Sequence, residues 1–286
     1  VNRYSGAWFS QKKIEAKTAR FYGRDHRLDY VFPDSGVEAT GAAYMATREG
    51  AGSIMVWGGD GSVNAVLQGV MRGLIEGYSA PELILLGGGS GSDFIRTLTS
   101  GKAEGRRLVD IGRVESIPGG EIRFFMNGFS VGVTAEIAAL KGAIPRWLPG
   151  SLKYMLATFI RLSRGKLFFN PAMDGRQRSP LLSVMILNGQ FVGGGMRILK
   201  DTSVDDGCLE RVVVPAMGIP AVLHVFKSVY LSGLSHHRDV EVSAISQACE
   251  IRLPHQAWCE TDGETFAASH LRISILTQAI MVRWIS

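Results

Sequence analysis

The sequence predicts an α/β chain of two domains, and three observations carry that expectation. Apolar runs alternate with amphipathic helical segments through about the first 110 residues, strand-like segments dominate afterwards, and glycines gather where the apolar runs end. Residues 1–112 are expected to form a three-layer α/β domain, and residues 113–286 a β-rich, sandwich-like one. The extreme C-terminal segment is expected to pack back on the first domain.

Each element follows from local pattern. Leu28–Phe32 reads as a short strand, punctuated by Pro33-Asp34-Ser35-Gly36 before a helix from about Val37 to Glu49. Ser53–Trp57 is a short apolar run bounded by glycines, as in a buried parallel strand. A helix over Val63–Glu76 follows, with Val66, Val70 and Leu74 on one face; Leu83–Leu86 is the next strand and Asp93–Leu98 opens another helix. Beyond Arg113, the segments Glu121–Asn127, Leu181–Asn188, Leu209–Val214, Val240–Ile245, Cys249–Leu253 and Leu271–Leu276 read as strands. Two helices interrupt them, Ser151–Arg164 and Ala221–Leu231. Leu152, Met155, Leu156 and Phe159 share a face of the first; that face could meet lipid but is expected to pack in the core.

Composition narrows the function classes. With 46% hydrophobic and 20% charged residues over 286 positions, the chain is globular and not disordered. No apolar run reaches the roughly eighteen residues of a spanning helix. Three cysteines, Cys208, Cys249 and Cys259, fit neither a disulfide framework nor a zinc site, which points to a reducing cytoplasm. No basic region followed by an apolar stretch opens the chain, so no secretion leader is expected.

The net charge of +5 is unevenly spread. Lys141–Ser179 holds eight basic residues and one acid, Asp174, a net +7, interleaved with Trp147, Leu148, Phe159, Phe168 and Phe169. That mixture suits an anionic membrane surface. Nucleic acid is a competing partner, and a solvated helix face beside ordinary core aromatics is the plain one.

Some familiar strings fail on inspection. His237-Arg238-Asp239 lacks the asparagine that a protein-kinase catalytic loop needs, since Ala244 stands there, and Ser92 breaks a nucleophile elbow around Ser90. Walker A, a complete G-x-G-x-x-G and H-E-x-x-H are absent.

Others hold. Gly58-Gly59-Asp60-Gly61-Ser62-Val63-Asn64 sits where an apolar strand hands over to an amphipathic helix, so backbone N–H groups and a helix N-terminus can meet a phosphate. Asp60 repels phosphate unless a Mg²⁺ or a substrate hydroxyl is held beside it; a tight turn with an exposed Asp is the bland reading. Gly87–Gly91 with Ser92 and Asp93 repeats the logic at the next strand end, although Asp93 could be a simple N-cap. Two such loops at neighbouring strand ends form the crevice where open α/β sheets bind ligands. Asp205-Asp206-Gly207 and Asp262-Gly263-Glu264 add carboxylate pairs in turns, each weak alone.

Taken in order, these pieces resemble the diacylglycerol kinase catalytic-domain family, which includes bacterial lipid kinases and sphingosine kinases. Gly58–Asn64 is similar to its GGDGT-x-N motif, Asn2–Gly6 to N-P-x-S-G, Gly89–Arg96 to G-T-x-N-D-F-A-R, and Phe125-Met126-Asn127 leading to Gly132 to F-x-N…G. Asn188-Gly189, Gly193–Met196, Asp205–Gly207 and Asp262–Glu264 complete the set. The resemblance implies an ATP-dependent lipid kinase whose α/β domain holds nucleotide and whose β-rich domain carries the lipid site, with the active-site cleft between them. It implies that Asn2, Ser5, Gly6, Gly58, Gly59, Asp60, Gly61, Ser62, Asn64, Ser90 and Asp93 serve ATP. Asp206 would bind a structural Mg²⁺ with backbone oxygens of Ser203 and Cys208. Glu264 would accept the proton, with Asp262 its rival for that role.

Departures from the pattern are Ala65 in place of Glu, Ser62 for Thr, Ser92 for Asn, Gly87-Gly88 for Pro-Leu, Lys200 near a usual Pro, and Phe32 near a usual Thr. Two other readings stay open: phosphorylation of a soluble substrate in the manner of NAD kinase, whose GGDG loop is similar, and a non-catalytic lipid- or nucleotide-binding relative. The expected partner is a lipid at a membrane surface, met peripherally and without nucleic acid. An exposed strand edge in the β-rich part could pair two copies.

Overall fold

The computed structural model describes residues 29–86, 93–99 and 104–285, apart from 143, 146, 147, 149, 164, 166, 167, 232 and 236. In chain order its elements are α1 (Gly36–Arg48), β1 (Ser53–Trp57), α2 (Asp60–Ile75), β2 (Glu82–Leu86), α3 (Asp93–Thr99), β3 (Glu104–Ser116), β4 (Ile122–Phe125), β5 (Gly128–Gly132), α4 (Val133–Gly142) and α5 (Gly150–Ser163). They continue with β6 (Ala172–Met173), β7 (Arg176–Gln177), β8 (Leu181–Leu187), β9 (Phe191–Val192), β10 (Met196–Arg197), β11 (Leu209–Pro215), α6 (Ile219–Leu231), β12 (Glu241–Ile245), β13 (Cys249–Thr261) and β14 (Glu264–Ile285).

The N-terminal layers form as the pattern dictates. Ser35 caps α1 by accepting the Glu38 N–H at 3.2 Å, while the Glu38 carboxylate accepts the Asp34 N–H at 2.7 Å, so two orphan donors are satisfied reciprocally. β1 and β2 pair in parallel, Ser53 opposite Glu82 through Trp57 opposite Leu86. Both faces of this pair are covered. Val56, Leu83 and Leu85 pack with Val63, Leu67 and Val70 of α2, and Trp57, Ile84 and Leu86 pack with Tyr30 and Phe32 on the other side. Those two aromatics lie in irregular chain: the strand expected at Leu28–Phe32 is not formed by residues 29–32, whose side chains cover the sheet in place of extending it.

α1 and α2 cross closely at Gly69. A Cβ there would overlap the Thr40 carbonyl oxygen and stand 2.8 Å from the Tyr44 nitrogen. Alanine normally favours a helix over glycine by about 1 kcal/mol, but here the overlap is with backbone that cannot swing aside. Gly69→Ala is expected to destabilise the chain by about 1–3 kcal/mol, the usual range for overpacking, as a lowered midpoint in urea unfolding.

The two parts share one twelve-stranded sheet, ordered β1-β2-β14-β13-β5-β8-β11-β12. β14 is the joint: Val282–Ile285 run parallel to β2, while Leu271–Leu276 and Ile280–Ile285 pair antiparallel with β3. The register shifts between Leu276 and Ile280, where Gln278 takes φ +47° and donates its N–H to buried Asp110 at 2.6 Å. In the β-rich part Phe129, Val131, Val184, Ile186 and Ile251 fill one side of the sheet. The other side is covered by Ile137 of α4, Ala157 of α5 and Val222, Val225 and Val229 of α6.

The structure differs from the sequence expectation at five further points. β3 was unassigned because Arg106 and Arg107 interrupt its apolar pattern. α4 is a third helix in the β-rich part, where two were expected. The strand expected at Glu121–Asn127 is β4, which ends at Phe125, and an unexpected strand, β5, begins at Gly128 after a bend held by a carboxylate described below. β13 and β14 are far longer than expected, since polar residues such as His255, His270 and Arg272 hid their continuity. Leu152, Met155, Leu156 and Phe159 of α5 are exposed, not core.

Candidate active site

A cavity of about 400 Å³ opens between the two parts. Asp60 and Gly61 at the start of α2 and Asp93 at the start of α3 line it from one side; Ser130, Glu260, Asp262, Gly263 and Glu264 line it from the other. Lys141 of α4 and Lys153 of α5 also line it, as do Met185, Leu187 and Val192. A lining that combines carboxylates with apolar side chains suits an amphipathic ligand.

The β1–α2 turn is built to expose backbone. Gly58 is buried, and Gly59 caps α2 with no side-chain hydrogen bond, so the first helical N–H groups have no side-chain acceptor at the cap. The Ser62 and Val63 N–H groups close the turn on the Gly59 carbonyl at 2.9 and 3.1 Å. A Cβ at Gly61 would stand 3.3 Å from Glu264 Oε1, so the absence of a side chain lets the β13–β14 hairpin approach the turn. Main-chain donors at a helix N-terminus fit a phosphate group.

Asp60 does not present a bare charge to that phosphate. It accepts the Asp93 N–H at 3.1 Å, and burial, with the carboxylates of Asp93 and then Asp262 adding repulsion, pushes its carboxyl up to about 7. An acid whose proton affinity is raised by folding stabilises the fold most below its ordinary value of 3.8; that contribution is lost as pH climbs toward 7. Asp60→Asn is therefore expected to melt higher than the parent above about pH 7, by on the order of 1 kcal/mol or more, and to melt with a flatter pH dependence. Thermal unfolding across pH without nucleotide or metal measures this.

The other carboxylates hold the walls together. Asp93 accepts the Gly194 N–H at 2.7 Å and Arg96 at 2.8 Å, fastening α3 to the Gly193-Gly194-Gly195 turn, where three successive positive φ angles require glycine. Asp262, itself at φ +47° in the β13–β14 turn, accepts the N–H groups of Met126 (2.8 Å), Asn127 (3.0 Å) and Gly128 (2.9 Å). It also accepts the Asn64 amide at 3.2 Å. Burial outweighs these four donors and raises its carboxyl above the ordinary value. Asn64 further donates to the Phe124 carbonyl at 3.1 Å. Its side chain therefore braces α2 against β4 and the hairpin.

Glu260 is a residue that the sequence reading missed. It is half-buried in the cavity wall, accepts the Ser130 hydroxyl at 2.7 Å and the Gly263 N–H, and its carboxyl is pushed up to about 7, chiefly by desolvation. The available signal was period two: Glu260 stands opposite Ser130 in the β13–β5 ladder, on the face that carries Met185. The lysines Lys141 and Lys153 were noticed only as part of the basic stretch.

The structure thus brings Asp60, Gly61, Asp93, Asp262 and Glu264 to one cavity. Ser203, Asp206 and Cys208 do not line it. Their loop is tied down by buried Asp110, which accepts the Gly207 N–H at 2.8 Å, and exposed Asp206 accepts the Cys208 N–H at 3.0 Å. Burial, then Asp206, Glu210 and Asp110, raise the Cys208 thiol, so negative charge gathers there. An oxygen set of carboxylate and carbonyls suits a hard cation such as Mg²⁺, although no group of three His, Cys, Asp or Glu side chains arranged for a metal occurs among the described residues. Ala65 is buried against α1, its carbonyl accepting Thr40 at 2.8 Å, and lies outside the cavity lining. Asn2, Ser5, Gly6 and Ser90 lie outside the described residues.

The diacylglycerol kinase catalytic domain matches residues 1–121, and the YegS C-terminal NAD kinase beta sandwich-like domain matches residues 128–284. The chain belongs to the family that joins these two domains, the diacylglycerol kinase catalytic-domain family of the YegS kind. Its curated relatives include "Probable lipid kinase YegS" of Shigella flexneri, 24% identical over 258 residues that cover 83% of this chain and 80% of the relative. The protein of that name from Escherichia coli (strain K12 / DH10B) shows the same identity and coverage. Among solved structures, one titled as a "putative diacylglycerol kinase" from Bacillus anthracis str. Sterne superposes with a TM-score of 0.73 at 21% identity, over 98% of this chain and 94% of that one. A second, titled as a diacylglycerol kinase from the same strain, gives 0.60 at 20% identity, over 88% and 83%. The fold is theirs. No helix among the described residues is long and apolar enough to cross a membrane.

Proposed function

We propose that this chain is an ATP- and Mg²⁺-dependent lipid kinase that phosphorylates a hydroxyl of diacylglycerol or a related lipid, with Glu264 as the proton acceptor. The observation that carries the assignment is the placement of Glu264 against Gly61, beside the phosphate-binding turn. Among the described carboxylates lining the cavity, Asp60, Asp93, Glu260 and Asp262 accept hydrogen bonds from the protein, whereas Glu264 is exposed and accepts none. A carboxylate left free at the cavity can take a hydroxyl proton as its oxygen attacks.

Phosphoryl transfer asks for alignment and charge neutralisation more than covalent help. Bound Mg²⁺·ATP would supply the phosphoryl group and offset its charge. The Gly58–Gly59 turn and the start of α2 would hold phosphate through main-chain N–H groups, and Asp206 with the carbonyls of Ser203 and Cys208 would hold a structural Mg²⁺. Asp262 positions: its four donors fix the hairpin that carries Glu264. The apolar part of the lining, Met185, Leu187 and Val192, would take the lipid. The protein would work at the cytoplasmic face of a membrane, bound peripherally.

An acceptor panel tests the reading. With γ-labelled ATP and Mg²⁺, label is expected on diacylglycerol or another hydroxylated lipid in mixed micelles and not on NAD. Label on NAD alone would favour the soluble-substrate reading, which the description of the matched C-terminal domain keeps in view.

A further inference from the structure

A stripe of large apolar side chains lies on the outside of α5. Leu152, Met155, Leu156 and Phe159, at i, i+3, i+4 and i+7, are 40%, 54%, 40% and 72% exposed. The opposite side of the helix is conventional: Ala157 is fully buried in the core, and Arg161, nearly so, pairs with Glu136 of α4. The helix is therefore correctly seated, and the stripe faces outward by construction.

Two further observations say what covers it. First, charge: neither α5 nor α6, which pack on the same core cluster, contains an Asp or Glu, and the sequence Lys141–Ser179 carries eight basic residues against one acid, of which Arg161 and Arg178 are paired with Glu136 and Glu241. A second copy of the chain would bring like charge to like charge, which disfavours that pairing; an anionic lipid surface offers the complement. Second, continuity: Lys153 of this helix lines the cavity that holds Glu264. One helix thus forms both cavity wall and exposed apolar ridge.

We propose that the outer face of α5, led by Phe159 and Met155, seats in the interface of an anionic bilayer and so brings the cavity to the membrane from which the lipid is drawn. The proposal rests on the lipid-kinase reading and adds the docking surface to it. Apolar side chains on a helix with a basic flank bind in the headgroup and acyl boundary with a strength set by buried apolar area and by lipid charge.

The test is co-sedimentation with phosphatidylcholine vesicles, with and without phosphatidylglycerol, in the absence of nucleotide. Binding is expected to rise with phosphatidylglycerol and fall with salt. The double variant Met155→Asp with Phe159→Asp is expected to lose vesicle binding by about tenfold or more, while phosphorylating a short-chain, monomerically dispersed diacylglycerol within about twofold of the parent rate, since neither residue touches the cavity. Unchanged vesicle binding in the variant would overturn the proposal. So would a parent that is dimeric in solution and a variant that is monomeric, which would assign the stripe to a second copy. Vesicle binding needs no turnover, so it stands or falls apart from the activity; absence of lipid product with the parent would instead count against the kinase reading.

Discussion

Glu264→Gln is expected to lower the rate of phosphoryl transfer by about 10²- to 10⁴-fold, the usual contribution of a positioned general base. Glutamine keeps the shape of the side chain and removes its capacity to take a proton. The residue is exposed and braces no neighbour in the hairpin, so stability and nucleotide affinity should hardly move. Steady-state kinetics with saturating ATP and lipid would show the loss in kcat, with KM for both substrates close to the parent's. A loss confined to KM would mean that Glu264 binds substrate and does not handle its proton.

Asp262→Ala is expected to act through the fold. The change strips a buried acceptor from the N–H groups of Met126, Asn127 and Gly128 and from the Asn64 amide. Leaving buried donors unsatisfied costs roughly 1–3 kcal/mol each, though such terms do not add fully. A loss of ~3–5 kcal/mol, which for a chain of this size lowers Tm by roughly 10 °C, should appear in calorimetry. Activity should fall as well, because the hairpin that presents Glu264 is no longer fixed to the β4–β5 bend. Asp262→Asn is expected to be nearly as damaging: its amide nitrogen would face N–H groups that need an acceptor. The two carboxylates, two residues apart, thus separate cleanly. Mutation of one should spare the fold, and mutation of the other should not.

That separation was not legible in the sequence. Asp262-Gly263-Glu264 announced a turn with two acids, and either could have been the base; only the third dimension shows that Asp262 is turned into a cradle of N–H groups from residues more than a hundred positions away. The α/β part was legible because glycines bound its apolar strands and its helices carry a clear stripe, so Ser53–Trp57 was read to the residue. β3 and most of β14 were not, because a strand threaded with Arg, and in β14 also with His and Gln, has no continuous apolar run. The sequence raised a lipid contact for α5 and then set it aside. An apolar stripe at helical spacing looks identical whether it faces a core or a membrane, and exposure alone distinguishes them. Glu260 went unnoticed since a single acid in a strand has no motif; its weight comes from burial and from Ser130 and Gly263.

In the proposed reaction a lipid hydroxyl loses its proton to Glu264 while phosphate is held by the Gly58–Asp60 turn. The most direct measurement is a single-turnover transfer of γ-label from Mg²⁺·ATP to diacylglycerol and related lipids in mixed micelles, run side by side for the parent and Glu264→Gln at equal nucleotide occupancy. Labelled lipid from the parent, and a single-turnover rate lower by at least about 10²-fold in the variant, is the predicted result. Equal transfer by both would remove Glu264 from the chemistry, and ATP binding without labelled lipid in the parent would contradict the lipid-kinase assignment itself.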